Sequence, residues 1–297
     1  MVSPGILLVD KPGGLTSHDV VARTRRAFGT RKVGHAGTLD PMATGLLVIG
    51  IEGATRLLTY IVGADKTYTA TIRLGESTTT DDAEGEIVRR ADADSWAHVN
   101  GESISAGLKA LTGAISQVPS SVSAIKVDGR RAYDRVRAGE DVQLAARQVV
   151  VSRLDVIDER QGDGLRDLDV IVDCSSGTYI RALARDLGEA LGVGGHLTAL
   201  RRSRVGGFDV SDAVTIDDLD GAPVLAPADA ARRVMPTLDV TGDEARDLRH
   251  GKRLHGAGER LTAAEVAAID PDGELVGILE RRGVDIKSAM NMPEVQR

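Results

Sequence analysis

Alternation of apolar and polar residues predicts two half-buried β-strands in the middle of the chain. In residues 66–74, Tyr68 and the apolar residues share one face, while threonines and Arg73 occupy the other. Residues 168–174 repeat this pattern, with leucine, two valines and a cysteine on one face. Two uninterrupted apolar runs, residues 6–9 and 46–49, predict strands that are buried on both faces.

Apolar residues spaced three and four positions apart predict helices. Residues 17–28 show this spacing, and Ser17 is the expected N-cap. A second helix is expected within residues 102–112. A third helix is expected to carry Arg181 near its start and Arg185 one turn further on.

Glycine and proline mark the connections between these elements. Residues 34–45 contain three glycines and one proline, which predicts a loop before the strand at 46–49. Residues 75–94 are acidic and polar, which is typical of a solvated loop or hairpin. Near the end of the chain, Asp272-Gly273 between two apolar runs predicts a β-hairpin.

Composition changes along the chain predict two domains. From about residue 207 the chain becomes acidic and is punctuated by prolines, so we place the boundary near residue 231, with domains at 1–231 and 232–297. Residues 120–147 are poor in apolar side chains and predict an insertion that projects from the core. The expected fold class is α+β, with a mixed, largely antiparallel sheet, a basic insertion and a small β-rich C-terminal domain.

The formal net charge of −7 hides three basic stretches. Residues 1–60, 120–153 and 174–206 each carry a net charge of +3. Such a pattern fits a local basic surface for nucleic acid on an acidic protein, although charge varies by this much along many chains. With only seven aromatic residues, a general stacking platform for single strands is excluded.

The single cysteine, Cys174, excludes an intramolecular disulfide and a thiolate metal cluster, and it favours a reducing cytoplasm. The six histidines show no metal-ligand spacing, so no metal site is expected. No apolar run approaches the roughly 20 residues that a membrane span requires. The start of the chain lacks the basic leader of a signal peptide. We therefore expect a cytoplasmic protein.

Asp40 is the one carboxylate within residues 34–45, and three interpretations of it stay open. Asp40-Pro41 fits a helix N-cap followed by proline at the first helical position. The glycines fit a phosphate cradle, although the segment lacks the ending of a P-loop and the glycine spacing of a dinucleotide fold. Asp40 also fits a nucleophile or general base held in a tight loop.

A series of motifs occurs in a fixed order over roughly residues 5–208. They are Asp10-Lys11-Pro12 with Ser17, Gly34-His35-Ala36-Gly37-Thr38-Leu39-Asp40-Pro41, Asp65-Lys66-Thr67-Tyr68, Ser123-Ala124-Ile125-Lys126, Cys174-Ser175-Ser176-Gly177-Thr178-Tyr179-Ile180-Arg181, and Leu200-Arg201-Arg202. In this order they resemble the TruB family, the bacterial tRNA pseudouridine-55 synthases. The three basic stretches coincide with these motifs. Pro119-Ser120 stands where the family commonly has two prolines, which concerns the conformation of the insertion only.

The resemblance implies a pseudouridine synthase fold with a thumb insertion at about 120–147 and a PUA-like C-terminal domain. It implies isomerisation of uridine 55 in the T loop of tRNA to pseudouridine, without metal, nucleotide or organic cofactor. The implied partner is the T-arm of tRNA, with no protein partner and no membrane, and the protein is expected to act as a monomer.

The resemblance also implies catalytic roles for three residues. Asp40 corresponds to the aspartate that attacks the target uridine, at C1′ or at C6. Arg181 corresponds to its ion-pair partner, which keeps a buried carboxylate ionised. Tyr68 corresponds to a tyrosine that stacks on the target base. From the residues alone, Tyr68 fits a core aromatic and Arg181 fits a surface cation beside Arg185.

Further assignments concern substrate binding. Tyr179 fits a packing or base-pocket role, and Leu200 lines the pocket beneath the base or belongs to the core. His35 corresponds to a histidine that fills the space left by the flipped nucleotide, because a stacked uridine must leave the stack to react. Cationic side chains must offset the cost of flipping. The candidates near the start of the chain are Arg23, Arg25, Arg26, Arg31 and Lys32. Those in the insertion are Lys126, Arg130, Arg131, Arg135 and Arg137.

Two other functions remain open at this point. One is a tRNA-folding chaperone whose catalysis is incidental, and the other is an RNA-guided synthase of archaeal and eukaryotic type. A pure binding protein would not need Asp40, Tyr68 and Arg181. The form of the loop with His35 favours the stand-alone bacterial enzyme.

Overall fold

The computed structural model describes residues 2–120, 126–127, 130–131 and 144–293, with the backbone alone at 126–127 and 130–131. In chain order, the strands of this part are β1 (Gly5–Lys11), β2 (Val33–Ala36), β3 (Thr44–Ile51), β4 (Lys66–Leu74), β5 (Glu76–Thr78), β6 (Ile87–Arg90), β7 (Gly113–Gln117), β8 (Lys126–Val127), β9 (Arg130–Arg131), β10 (Arg147–Gly162), β11 (Leu165–Cys174), β12 (Gly195–Val205), β13 (Phe208–Asp209), β14 (Val214–Thr215), β15 (Thr237–Asp239), β16 (Val266–Ile269), β17 (Leu275–Arg282) and β18 (Asp285–Asn291). The α-helices are α1 (Ser17–Ala27), α2 (Leu58–Ile61), α3 (Gly101–Ala110), α4 (Ile180–Ala190), α5 (Pro227–Arg232) and α6 (Gly242–Arg249).

The described residues fall into two compact units. Unit 1 comprises those within Met1–Pro41, Gly45–Ala64 and Arg204–Arg297. Unit 2 comprises those within Met42–Thr44 and Asp65–Ser203.

Unit 1 is built on the two apolar runs near the start of the chain. β1 pairs antiparallel with β3, from Gly5 opposite Ile51 to Lys11 opposite Gly45, and both strands are almost wholly buried. β14 pairs in parallel with the other edge of β1, and β2 pairs antiparallel with β3. The predicted strands at residues 6–9 and 46–49 are confirmed.

The C-terminal part of unit 1 is a four-stranded sheet in the order β15-β16-β17-β18. β16 and β17 pair antiparallel on either side of the Asp272-Gly273 turn, which confirms the predicted hairpin. Buried residues of this sheet belong to the same hydrophobic cluster as the first strand: Ile278 and Ala267 share it with Ile6 and Leu8. The boundary expected near residue 231 stays a prediction.

Unit 2 is built on a sheet in the strand order β12-β4-β11-β10-β7. β4 has the bounds that its alternation predicts, and it pairs antiparallel with β11. Its polar face is satisfied across the strands, because Thr71 donates to Asp169 at 2.6 Å and Arg73 forms two hydrogen bonds of 2.8 Å with Asp167. Since its apolar face is buried, the half-buried character of β4 is confirmed.

The helices of unit 2 also follow the sequence pattern. α3 begins one residue before the range expected for it and otherwise lies within that range, and Asn100 caps it by accepting from the Ser103 N–H at 3.0 Å. α4 follows the Tyr179 motif and buries Ile180, Leu183 and Leu187. Residues 76–90 form the antiparallel pair β5 and β6, as expected of a hairpin region. The α+β class with largely antiparallel sheets is confirmed.

Three local predictions are wrong. Thr16 rather than Ser17 caps α1, because Asp19 stands at the third helical position and forms a reciprocal capping box with Thr16. Residues 33–36 form strand β2 rather than a loop, because backbone pairing with β3 overrides the local preference of glycine. No helix follows Asp40-Pro41, since the next element is β3, so the N-cap interpretation of Asp40 is excluded.

The insertion is described only in part. β8 and β9 pair antiparallel on either side of residues 128–129. The helix expected over residues 131–137 lies outside the described residues. No helix of the described ranges is long and apolar enough to cross a membrane.

Candidate active site

Asp40 lies in the short segment between β2 and β3, and both of its neighbours are held by hydrogen bonds. On one side, the Ser17 hydroxyl accepts from the Leu39 N–H at 2.9 Å and donates to the Leu39 carbonyl at 3.1 Å. On the other side, the Pro41 carbonyl accepts from Lys11 Nζ at 3.2 Å. The backbone that carries the Asp40 carboxylate is therefore fixed on both sides.

The Lys11 ammonium anchors this segment. Its residue is 0% exposed, and Nζ donates to the carbonyl oxygens of Pro12 at 2.9 Å, Leu15 at 2.7 Å and Pro41 at 3.2 Å. These contacts match the three N–H donors of an ammonium group, and carbonyl dipoles offset its loss of hydration. The Asp10-Lys11-Pro12 motif thus supports the Asp40 segment.

Two glycines bend the backbone on either side of Asp40. Gly37 has φ 80° and Gly45 has φ 99°, values that residues with a Cβ rarely adopt. Asp40 itself is half-buried between them. Glycine at these two positions therefore allows the backbone conformation that the chain adopts on either side of Asp40.

His35 lies on β2, opposite Ile49 of β3. Its ring meets the ring of His18 edge to face, with centroids 5.6 Å apart. His35 is half-buried, whereas His18 is exposed on the first turn of α1. His35 on β2 and Asp40 in the segment that follows β2 thus belong to the same short stretch of the chain.

Arg181 lies in the first turn of α4 in unit 2, and its guanidinium is buried. The residue is 4% exposed, so the alternative of a surface cation is wrong. Nη1 lies 3.2 Å from Asp82 Oδ2 and donates to the Thr80 carbonyl at 2.8 Å. A buried guanidinium needs such a charge partner, because desolvation of an isolated cation is costly.

Asp82 is itself held by the loop between β5 and β6. Its Oδ1 accepts from the Thr80 hydroxyl at 2.5 Å and from the Glu84 N–H at 3.0 Å. The Thr78 hydroxyl donates to the Asp82 carbonyl at 2.7 Å. Both oxygens of the carboxylate therefore have partners, and Asp82 orients Arg181.

Arg185, one turn further along α4, joins the same loop to the end of β7. Its guanidinium lies 3.2 Å from Asp81 and 2.7 Å from Asp186, and Nη2 donates to the Val118 carbonyl at 2.7 Å. Burial raises the pKa of Asp186 despite this contact. Consecutive aspartates of one loop thus pair with arginines one turn apart on α4.

Tyr68 and Leu200 lie on neighbouring strands, β4 and β12, and both are buried. Tyr68 stands opposite Val172 of β11. Burial fits a core position for both residues and equally fits a pocket wall, so their roles at the target base stay predictions.

Tyr179 is the last residue before α4 and is contacted by both strand ends at the base of the insertion. The Gln117 side chain bonds its backbone, and the Arg147 guanidinium carbon lies 5.2 Å from the centre of its ring. Gln117 and Arg147 are themselves cross-strand partners on β7 and β10. Tyr179 is therefore linked to β7 and β10, the two strands that flank the insertion, and Arg181 follows it in the first turn of α4.

Lys66 is a further buried cation, on the face of β4 that carries Tyr68. It is 5% exposed and stands opposite Cys174 of β11. Burial, together with the charge of Arg202, lowers the pKa of its ammonium to about 8. Burial also raises the pKa of the Cys174 thiol to about 11, so this cysteine is not a thiolate at neutral pH.

Two polar residues near the predicted site were not found from the sequence. Asp82 was hidden in a polar segment interpreted as solvated, and only its contact with Arg181 singles it out. Gln117 is the last residue of a short strand, and no local sequence pattern marks it as part of a functional site. The side chains of Lys126, Arg130 and Arg131 lie outside the described part of the chain. Within that part, no three His, Cys, Asp or Glu side chains are placed to hold a metal ion.

Family comparisons identify the class of protein that this fold and site represent. Residues 25–180 match the TruB family pseudouridylate synthase (N terminal domain). Residues 181–239 match the tRNA pseudouridylate synthase B C-terminal domain, and residues 235–293 match tRNA Pseudouridine synthase II, C terminal. The chain belongs to the TruB family of pseudouridylate synthases.

Individual relatives are similar over nearly their whole length. The chain is 60% identical over 295 residues to the tRNA pseudouridine synthase B of Leifsonia xyli subsp. xyli (strain CTCB07), covering 99% of this chain and 98% of that protein. It is 54% identical over 289 residues to the protein of the same name from Mycobacterium ulcerans (strain Agy99), covering 97% and 94%. Among solved structures, a chain of a Cbf5-Nop10-Gar1 complex is similar with TM-score 0.71 and 25% identity, covering 98% of this chain and 84% of that one.

Proposed function

We propose that the protein converts uridine 55 in the T loop of tRNA to pseudouridine. Its close relatives are named tRNA pseudouridine synthase B. The observation that carries the proposal is the Asp40 segment, in which the buried Lys11 ammonium and the Ser17 hydroxyl hold the backbone on both sides of one carboxylate. A reacting carboxylate needs such a preorganised position.

The proposed reaction is an isomerisation that needs only protein side chains and water. The target uridine leaves the stack, because a carboxylate cannot reach its reacting atoms inside a folded T loop. The ionised Asp40 carboxylate forms a bond to the nucleotide at C1′ or C6, and the bond between C1′ and N1 breaks. C1′ then re-bonds to C5 of the rotated base, and the bond to Asp40 breaks again and returns the free carboxylate. The hydrogen on C5 leaves as a proton and N1 gains one, so that the atoms balance.

The other site residues are proposed to support this step. Arg181 is the proposed charge partner that keeps Asp40 ionised, and the Asp82 contact supports the proposal because it restrains the guanidinium. Tyr68 stacks on the target base, while Leu200 and Tyr179 line its pocket. His35 fills the space that the nucleotide leaves. Phosphate contacts are assigned as a group to Lys126, Arg130 and Arg131.

We further propose that the protein acts in the cytoplasm as a monomer on the T-arm, without a protein partner. The catalytic domain then comprises residues 1–231, with the insertion at about 120–147, and residues 232–297 form the PUA-like domain. A tRNA transcript incubated with the purified protein is expected to contain pseudouridine at position 55. No product, or product at another uridine, would contradict the proposal.

The nucleophile is tested with Asp40→Asn, which keeps the size of the side chain and removes its charge. We expect no detectable pseudouridine, while the Kd for tRNA stays within about tenfold (1.4 kcal/mol) of the wild-type value. The matched control is Asp217→Asn, which neutralises an exposed carboxylate of unit 1 and leaves turnover unchanged. Turnover by Asp40→Asn at the wild-type rate would falsify the assignment.

A further inference from the structure

The first turn of α4 is held by an amide from another strand. Gln117, the last residue of β7, is 1% exposed. Its Nε2 donates to the Tyr179 carbonyl at 3.0 Å, and its Oε1 accepts from the Tyr179 N–H at 2.8 Å. Both backbone polar groups of one residue are thus bonded by one side chain, an arrangement that we call the Tyr179 clamp.

The chemistry of the clamp requires a primary amide. The Tyr179 N–H takes its acceptor from Gln117, and the Tyr179 carbonyl, which also accepts from the Leu183 N–H at 3.3 Å, takes a second donor from the same amide. These two partners also fix which end of the Gln117 amide is oxygen. A carboxylate of the same size accepts but does not donate, and an apolar side chain does neither. The residue type at position 117 is therefore specific to the Tyr179 backbone.

The clamp holds the residue just before a helix that has no local side-chain cap. Tyr179 is the N-cap residue of α4, yet α4 has no side-chain cap hydrogen bond. The Thr178 hydroxyl, which is a cap former by type, donates instead to the Ser175 carbonyl at 3.0 Å. The orientation of the first turn of α4 consequently depends on Gln117 of β7.

Arg181 stands in that first turn, two residues after the clamped peptide. Its Nη1 must meet both Asp82 Oδ2 and the Thr80 carbonyl, and a small rotation of the turn would move the guanidinium away from both. On the other side, the Arg147 guanidinium lies over the ring of Tyr179 and limits the movement of that residue. The contacts of Tyr179 with Gln117 and Arg147 thus restrain the backbone from which the Arg181 side chain extends.

We propose that Gln117 is a positioning residue for pseudouridine formation, which acts through the Tyr179 backbone on the Arg181 guanidinium. This inference rests on the proposed function, because it assigns a rate effect to the position of Arg181. Gln117 touches neither substrate nor reacting atoms in this role. Loss of the clamp slows the chemical step and leaves the binding of tRNA nearly unchanged.

The first test compares Gln117→Met and Gln117→Glu with the wild-type protein. Under single-turnover conditions, release of the C5 hydrogen of the target uridine should slow by about tenfold or more in both variants, because small displacements of catalytic groups carry such costs. The Kd for tRNA should stay within about threefold. The matched control is Gln148→Met, the same change at an exposed position of β10, which should leave the rate unchanged. Wild-type rates in both Gln117 variants overturn the proposal.

The second test asks whether Gln117 acts through Arg181. In an Arg181→Lys background, Gln117→Met should slow the reaction by less than about threefold, because the group it positions is already replaced. A purely structural role would give the same fold-loss in both backgrounds. Equal losses therefore overturn the positioning role even if Gln117→Met destabilises the protein.

A third readout does not depend on activity, so it separates this inference from the proposed function. In Gln117→Met, amide hydrogen exchange across residues 179–183 should quicken by about tenfold or more, while exchange in α6 stays unchanged. Unchanged exchange at residues 179–183 overturns the clamp. If the wild-type protein makes no pseudouridine while exchange still quickens, the proposed function fails and with it the positioning role of Gln117 in that reaction, whereas the clamp itself stands.

Discussion

Buried cations characterise the predicted site at the scale of single residues, and each has a different partner. Lys11 donates to three carbonyl oxygens, whereas Arg181 is paired with the Asp82 carboxylate. Lys66 lies beside the Cys174 thiol and near the charge of Arg202. Burial disfavours the charged form of Lys66 and, together with the charge of Arg202, lowers the pKa of its ammonium.

Lys66 makes the free energy of unfolding depend on pH. Burial lowers the pKa of its ammonium to about 8 in the folded protein, against 10.5 for an ordinary lysine. Between these values the unfolded chain holds a proton that the folded protein has lost, so the free energy of unfolding increases with pH. We expect the wild-type protein to gain up to about 1.4 kcal/mol per pH unit relative to Lys66→Met above pH 8.

Urea unfolding at pH 8 to 9 measures this difference most cleanly. Burial raises the pKa of the Cys174 thiol to about 11 from 9.0, so above pH 9 the thiol makes the free energy of unfolding decrease instead. Both proteins carry Cys174, so this opposing contribution largely cancels in the difference, and the same comparison in a Cys174→Ala background checks the cancellation up to pH 10. A difference between wild type and Lys66→Met that does not change with pH would contradict the lowered pKa.

The loop between β5 and β6 and the helix α4 form a pair at the scale of elements. Asp82 and Asp81 of the loop contact Arg181 and Arg185 of the helix, and these arginines are one turn apart. These two ion pairs hold the loop against α4, although the polar sequence of the loop is typical of a solvated segment. The inner pair, Arg181 and Asp82, is almost wholly buried, whereas the outer pair, Arg185 and Asp81, is more exposed. We therefore expect the two pairs to contribute unequally to the free energy of unfolding.

Asp82→Asn tests the inner pair. Its side chain and that of Arg181 are 3% and 4% exposed, so neutralising the carboxylate removes a buried charge contact of the Arg181 guanidinium. We expect the free energy of unfolding in urea to fall by about 3 kcal/mol. The matched control is Asp81→Asn, for which we expect less than about 1 kcal/mol, because Arg185 keeps its contacts with Asp186 and Val118. Equal losses would show that burial does not distinguish the two pairs.

Unit 1 combines the first strands and the C-terminal sheet at the scale of the whole molecule. Ile278 of β17 and Ile6 of β1 belong to a shared hydrophobic cluster, while Leu248 and Val276 belong to a separate cluster near the end of the chain. A C-terminal region with part of its core in common with β1 is expected to unfold together with β1. This cooperativity is a property of the assembled unit.

Ile278→Ala tests this coupling. The residue is fully buried, and we expect the free energy of unfolding to fall by about 3 kcal/mol. Amide exchange should quicken in β1 as well as in β17. The control is Val284→Ala, which changes an exposed side chain and should affect neither strand. Exchange that quickens in β17 alone would mean that the C-terminal sheet unfolds independently.

Elements that depend on local pattern can be predicted from the amino-acid sequence. β4 has its predicted bounds because the side-chain period of a strand equals the observed alternation, and the apolar runs of β1 and β3 are buried as expected. Motif order also determines the family. The predicted N-cap of α1, Ser17, lies one residue after the observed cap Thr16, since two neighbouring residues both suit a cap and Asp19 decides between them.

Only the tertiary structure decides which polar groups meet. The Lys11 contact with Pro41, the Arg181 pair with Asp82 and the Gln117 clamp on Tyr179 each join residues far apart in the chain. No local pattern encodes such contacts, because they arise when separate elements pack and every buried polar group must find a partner. The sequence therefore determines where chain elements form and which family they represent, while packing decides which side chains hold Asp40 and Arg181 in place.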